Sequence, residues 1–483
     1  MSRKKTRNML GLICLRYNRC VSARTAVVSY LLNLQRLEQR PIRTIIVIAA
    51  VLAFAYILAM TSSLGWNDQI MNGDAIQYYA YLRSLVFDRD VDFINDYRLL
   101  YGTSNADNIW LSSRTPTGLA VNLMSIGPAL LWLPFFLIAC GLVALAQGIG
   151  FSIPFDGVAM PFQLSAGIAG LTYGATGIYL CYKICKQLYP RHAALWATLV
   201  AWLATPTIYY NLVSPAYSHA TAVFSVSVFI FVWLRTIENC KLTRYAMLGA
   251  LGGLAMLVRW QDGVLLLLPT FELVHEIARK RISINHAMSR LIVVGAGAFV
   301  VFLPQMIAWQ QMYGQLLLTP QGEDFMRWGA PQVTEVLFST KHGLFSWTPA
   351  IIPAVIGLAC LVRQHGLVGW SSVGLITTTI YINASVIDWW AGEAFGARRF
   401  ISMTPLFALG LTALISGLNW RQWQARIRAV AIFLIVSNML FLTQYQLSMH
   451  GYDELAPYPT TVKQILVDRF LLPIQLLSHW TRQ

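Results

Sequence analysis

Residues 124–146 read MSIGPALLWLPFFLIACGLVALA, and whether this stretch crosses a membrane decides the topology of the entire chain. At roughly 20 apolar residues it is long enough to span about 30 Å of hydrocarbon. Eleven further apolar segments flank it, at about Thr44–Met60, Phe162–Tyr182, Ala193–Tyr210, Thr221–Trp233, Tyr245–Val258, Val264–Ile277, Leu291–Trp309, Phe345–Leu361, Val368–Val386, Ile401–Leu418 and Ala429–Tyr445. Between them lie five basic patches: Lys183–Arg191, Arg235–Arg244, Arg279–Arg290, Arg363–His365 and Arg421–Arg428. All five join the Lys- and Arg-rich segment 1–43 on the cytoplasmic side only if 124–146 does not cross. The stretch therefore reads as a re-entrant or interface-lying helix on the outer side, which Pro128, Pro134 and its uncharged ends allow.

The fold class that follows is an all-α polytopic membrane protein of about eleven spans. Residues 44–447 form one transmembrane body, with a large external loop region at 61–161 carrying juxtamembrane helices. A short external tail is expected over 448–483. Composition agrees: 56% of the 483 residues are hydrophobic and only 12% charged, too few charges to cover a soluble globule of this size. The formal charge of +15 sits largely in short segments beside spans, so topology accounts for it and nucleic acid is not implied. The seven cysteines are scattered, mostly in or beside apolar segments, which suits neither a disulfide framework nor a metal cluster.

With the short loops basic and cytoplasmic, the long polar loops fall outside, where ATP and soluble nucleotide-sugars are absent. Trp66-Asn67-Asp68-Gln69-Ile70-Met71-Asn72-Gly73-Asp74 follows the first span and leads into a helix-spaced run from Ala75 to Phe87. Asp74 stands at the N-cap position, either as a cap alone or as a general base fixed at a helix start, with Asp68 the next candidate. Asp88, Asp90 and Asp92 could hold a divalent cation through oxygen ligands, but surface charge is the commoner fate of three acids in a solvated loop, and the sequence points to no certain cofactor.

Cations and aromatics gather on the same side: Tyr217 and His219, Arg259, Lys341 and His342, and the run Trp389-Trp390-Ala391-Gly392-Glu393-Ala394-Phe395-Gly396-Ala397-Arg398-Arg399. External Arg259, Lys341, Arg398 and Arg399 break the positive-inside preference, which invites a bound anion such as a lipid phosphate. Each also has a plainer reading: Arg259 paired with Asp262, Lys341 snorkelling, His219 packed and neutral, Trp389 and Trp390 as interface belt. A carboxylate and several cations at an apolar rim suit transfer of a sugar from a polyprenyl phosphate to a hydroxyl, with Trp66, Tyr78, Tyr79, Trp389 and Trp390 flanking the sugar.

Gly73-Asp74, the stretch Ser125-Ile126-Gly127-Pro128-Ala129-Leu130, the stretch His342-Gly343-Leu344-Phe345-Ser346-Trp347-Thr348-Pro349 and the run Phe395–Arg399 together resemble the GT-C superfamily of integral-membrane glycosyltransferases. The resemblance lies in the broad group of protein O-mannosyltransferases, lipid A aminoarabinose transferases and uncharacterised bacterial members. It implies a catalytic carboxylate and two juxtamembrane helices in the first external loop. It also implies a polyprenyl-phosphate-linked sugar donor, a hydroxyl-bearing acceptor, surrounding membrane lipids, and work on the extracytoplasmic face of the bacterial inner membrane. The chain departs from better-known members in showing no acidic pair directly at Asp74 and a tail after Ser448 expected to be too short for a soluble domain. Two rivals stand: a lipid or polysaccharide transporter, for which Glu272 inside a span speaks, and a glycan polymerase or ligase using a lipid pyrophosphate.

Overall fold

The computed structural model describes residues 37–62, 70–102 and 108–481. Most of the basic N-terminal segment, together with Trp66 and Asp68, lies outside the described residues. The longer helices are, in chain order, α1 (Pro41–Thr61), α2 (Asp74–Arg83), α3 (Ile94–Tyr101), α4 (Gly127–Gly148), α5 (Met160–Leu188), α6 (Arg191–Leu203), α7 (Ser218–Arg235), α8 (Leu242–Val258), α9 (Leu267–Ala278), α10 (Ile284–Tyr313), α11 (Ile351–Gln364), α12 (Gly366–Ala384), α13 (Thr404–Ser416), α14 (Trp420–Met449) and α15 (Arg469–Trp480). Tight 3-10 turns at Trp260–Leu266 and Arg398–Met403 lead into α9 and α13. With the turns that lead into α9 and α13, α1 and α5 to α14 are eleven helices among the described residues, one on each apolar segment read from the sequence. Seven described helices, α4 included, are long and apolar enough to cross a bilayer. The chain is a multi-pass membrane protein.

Small residues set the close contacts. Gly249 and Gly253 of α8 lie against the backbone of Val294 and Ala298 on α10. Without a hydrophobic force between helices in lipid, such approach is what lets dispersion hold them together. Gly174 and Gly177 of α5 meet Ala220 and Val223 of α7, so these two helices run parallel. Side chains such as Val51, Phe54 and Leu58 on α1 and Val430 and Phe433 on α14 are left exposed, as a lipid-facing surface requires.

The basic patches collect at one end. Arg428 pairs with Glu38 at 2.7 Å, Glu38 also accepts from the Trp196 indole, and His192 packs on Trp420. Tyr189 donates to Gln364 at the same end. Glu272, the acid that favoured a transporter, is clamped there by both terminal nitrogens of Arg244, at 2.6 and 2.8 Å, and by Trp233 and Tyr245. A carboxylate so fully satisfied is a fastening between α7, α8 and α9 rather than a mobile carrier.

α4 begins at the opposite end, where Gly127 lies on the backbone of Leu257 and Val258. Its Leu131 carbonyl accepts from Tyr173, Phe135 packs on Tyr173, and Phe136 packs on Phe162. Partner positions on α5 fall as α4 advances, so α4 travels toward the start of α5 and away from the basic patches. The residues after Ser448 do not trail away as an extended tail. They turn and run back along α14, with Tyr458 on Tyr445, Gln464 bonded to Gln444 and Phe470 stacked on Phe433. Apolar Leu466, Phe470, Leu471, Ile474 and Leu477 stay exposed on this arm, the pattern of a helix lying in lipid.

Arg83 organises the first loop region. It donates to Asp88 at 2.7 Å, to Asp96 at 2.8 Å and to the Asp156 carbonyl at 2.9 Å. Asp96 is fully buried with one oxygen unpartnered, and burial, opposed by Arg83, pushes its carboxyl up to about 6. A raised acid binds a proton in the folded state that the unfolded state has already released, so its contribution to stability falls as pH rises from about 4 to about 6. Asp96→Asn lacks that titration. Its thermal midpoint should gain on the wild type across this window and hold a constant offset above it; an offset independent of pH would contradict the assignment.

Candidate active site

Asp74 is the first residue of α2, not its cap. Gly73 occupies the cap position at φ 49°, and no side chain caps the helix. A Cβ on Gly73 would strike the Tyr217 hydroxyl, so glycine serves both the backbone angle and the approach of that ring. With capping excluded, the Asp74 carboxylate is directed across the bundle to Arg398, at 2.6 Å, and keeps 29% of its side chain exposed. This contact joins residues 324 positions apart.

From Arg398 the contacts form a ring. Its guanidinium lies 6.0 Å over Tyr217, and Tyr217 stacks parallel to His219. The Nδ1 of His219 is 3.1 Å from Arg259. A guanidinium has only donors, so Nδ1 must accept and carries no proton, which fits the reading of His219 as a neutral packed histidine. Arg259 also donates to Ser218 at 3.0 Å, and Ser218 exchanges a 2.8 Å bond with Tyr78. Tyr78 sits one helical turn after Asp74, which closes the ring. Arg259 does not pair with Asp262, whose Oδ1 accepts from Ser402 instead.

A second cluster adjoins the first through the neighbouring Arg399. Arg399 is held by both the carboxylate and the carbonyl of Asp388, each at 2.7 Å. Lys341 does not simply snorkel: its Nζ lies 3.9 Å over the Trp390 ring. His342 is within hydrogen-bond distance of the Trp390 carbonyl at 2.8 Å and of the Tyr458 hydroxyl at 2.9 Å. Burial pushes its imidazole down to about 4, so at neutral pH Nδ1 donates to the carbonyl and Nε2 accepts from Tyr458. His342 and Ala391 both adopt left-handed backbone, at φ 64° and 62°, a conformation that costs a non-glycine residue about 1 kcal/mol or more. Trp389 packs edge-on against Trp390, while Glu393 is exposed. A crevice lined by His342, Trp389, Trp390, Arg398 and Arg399 lies between the two clusters.

The motifs at 342–349 and 395–399 prove to be one unit. Phe395 is buried among Tyr209, Trp347, Phe441 and Tyr445, and Trp347 carries His342 on its edge. Gly396, at φ 68°, turns the chain against Pro206 and so delivers Arg398 to Asp74.

The acids considered for a metal do not converge. Asp88 takes Arg83 and Asn95, Asp90 takes Ser84 and the Asp92 amide, and Asp92 takes the amides of Ile94 and Ala120. They fold the loop, and no group of three metal-ligating side chains occurs among the described residues. Tyr79, offered as a sugar-flanking ring, is fully buried and donates to the Gly157 carbonyl. Ser218 enters the sequence reading only within the run Tyr217-Ser218-His219, and Asp388, beside Trp389, does not enter it.

No family model and no curated protein matches the sequence. Among solved structures, the archaeal oligosaccharyltransferase AglB from Archaeoglobus fulgidus, in complex with an inhibitory peptide and a dolichol-phosphate, superposes with a TM-score of 0.50 at 11% identity. The match covers 89% of this chain and 61% of AglB. ArnT from Cupriavidus metallidurans bound to undecaprenyl phosphate gives 0.49 at 12% identity, covering 89% of this chain and 76% of that one. The similarity to AglB extends over nearly the whole chain and shows that it has the GT-C fold.

Proposed function

We propose that this protein is an inverting glycosyltransferase that moves a sugar from a polyprenyl phosphate to a hydroxyl acceptor, at the extracytoplasmic face of a bacterial inner membrane. The observation that carries the reading is the ring in which Asp74 meets Arg398 while Arg259 lies two aromatic rings away. The lipid tail would lie along the apolar exposed helices, its phosphate against Arg398, Arg259 and the neighbouring Arg399 and Lys341. The acceptor hydroxyl attacks the anomeric carbon and passes its proton to Asp74. The bond between that carbon and the phosphate oxygen breaks, the electron pair stays on the phosphate, and fixed guanidinium charge stabilises it. A single displacement inverts the anomeric centre.

The clamped Glu272 removes the main support for a transporter. A lipid pyrophosphate would use the same cations, and the lipid itself separates the two enzyme readings. Mass spectrometry of lipid extracted from protein purified out of a bacterial membrane should find a polyprenyl monophosphate or its glycoside, depleted in Arg398→Ala. Bulk phospholipid alone in both samples would refute the proposal. A polyprenyl diphosphate would move it to a polymerase or ligase.

A further inference from the structure

The three arginines of the site are not equivalent. Arg398 is paired with Asp74 and Arg399 with Asp388. Arg259 has no ion pair among the described residues; its contacts are the neutral acceptors Ser218 and His219. Its remaining N–H groups have no carboxylate partner among the described residues, so an incoming anion meets an uncompensated charge there. A carboxylate nevertheless stands three residues away. Asp262 is 1% exposed, its backbone N–H donates to the Arg259 carbonyl at 2.8 Å, and its side chain turns to Ser402 at 2.8 Å. The second carboxylate oxygen is buried with no partner.

A buried carboxyl with an orphaned oxygen is costly, and nothing in the transfer chemistry uses it. Burial pushes this acid up to about 6, against the pull of Arg259. Its placement supplies a reason for keeping it. Ser402 belongs to the same 3-10 turn as Arg398 and Arg399, and residues three apart on such a turn eclipse, so Ser402 lies on the side of Arg399. The Asp262–Ser402 bond thus ties the turn that follows Arg259 to the turn that carries the other two guanidiniums, across 140 residues of chain. An Asp262 in contact with Arg259 would neutralise its charge, as Asp74 and Asp388 do for their partners. Held by Ser402, it leaves that charge unpaired.

We propose that Asp262 is a positioning residue that, through Ser402, holds Arg259 in register with Arg398 and Arg399 for one phosphate. The inference rests on the proposed donor phosphate at these arginines. The test is titration of undecaprenyl phosphate onto the full-length protein in nanodiscs, with thermal midpoints recorded alongside. Asp262→Ala and Ser402→Ala should each weaken binding about tenfold or more, the scale of one lost hydrogen bond to a charged group, with the midpoint little moved. Asp262→Asn keeps an acceptor for the Ser402 hydroxyl and should stay within about threefold of wild type. Because Asp262 acts through Arg259, Arg259→Ala/Asp262→Ala should bind no worse than Arg259→Ala alone. Wild-type affinity in Asp262→Ala, Asp262→Asn as weak as Asp262→Ala, or additive losses in the double variant would each overturn the strut while leaving the phosphate at the arginines standing. Normal binding by Arg259→Ala would remove both the strut and Arg259 from the phosphate site, and unchanged binding by Arg398→Ala as well would remove the phosphate reading.

Discussion

Asp74→Asn should lower sugar transfer by about 10²- to 10⁴-fold, the usual contribution of a positioned general base, while the protein folds and binds the lipid phosphate at least as well as before. The amide keeps the shape of the carboxylate at the start of α2 but cannot take a proton from the acceptor. Folding should tolerate the change because the side chain is 29% exposed and plays no part in capping the helix. Donor affinity should rise a few-fold, because Arg398 is then no longer shared with a carboxylate at 2.6 Å. The two readouts move in opposite directions, and a merely misfolded variant could not produce that pattern. Near-normal turnover in a reconstituted assay would remove Asp74 as the base, and weaker phosphate binding would show that Asp74 assists the arginine instead of competing for it.

What could be read from sequence followed what is periodic or topological. Each of the eleven helices α1 and α5 to α14 rests on an apolar run, and the basic patches between them assemble around Glu38, Gln364 and Glu272 at a single end. Side chains set by tertiary partners were harder. Asp74 at a helix start reads as a cap until Gly73 is seen to fill that place. The Arg259–Asp262 pair, natural at a spacing of three, fails because Ser402 claims the carboxylate from another turn. The loop acids Asp88, Asp90 and Asp92 look like ligands in one dimension and serve as separate fastenings in three. That the tail after Ser448 folds back is not legible because its apolar residues are broken by Asp468, Arg469 and Pro473, whereas α14 supplies a long partner to lie against.

Of the two adjacent arginines, Arg398 should matter more for the donor and Arg399 more for the loop. Arg398→Ala removes a guanidinium that touches Asp74 and, in the proposed reaction, the phosphate as well. A hydrogen bond to a charged group is worth about 1.5–3 kcal/mol, which corresponds to roughly a 10- to 150-fold loss of undecaprenyl-phosphate affinity. Turnover at saturating donor should fall as well, because the same charge stabilises the departing phosphate. Arg398→Lys keeps the charge but gives up the planar fork, so it should recover part of the binding and less of the rate. Arg399 is already held twice by Asp388, so Arg399→Ala should cost less affinity and chiefly free the segment from Asp388 to Arg398, raising its amide exchange. Equal losses from both alanine variants would mean that the phosphate bridges the two arginines. If neither variant changes affinity, the anion binds elsewhere and the salt bridge to Asp74 is structural.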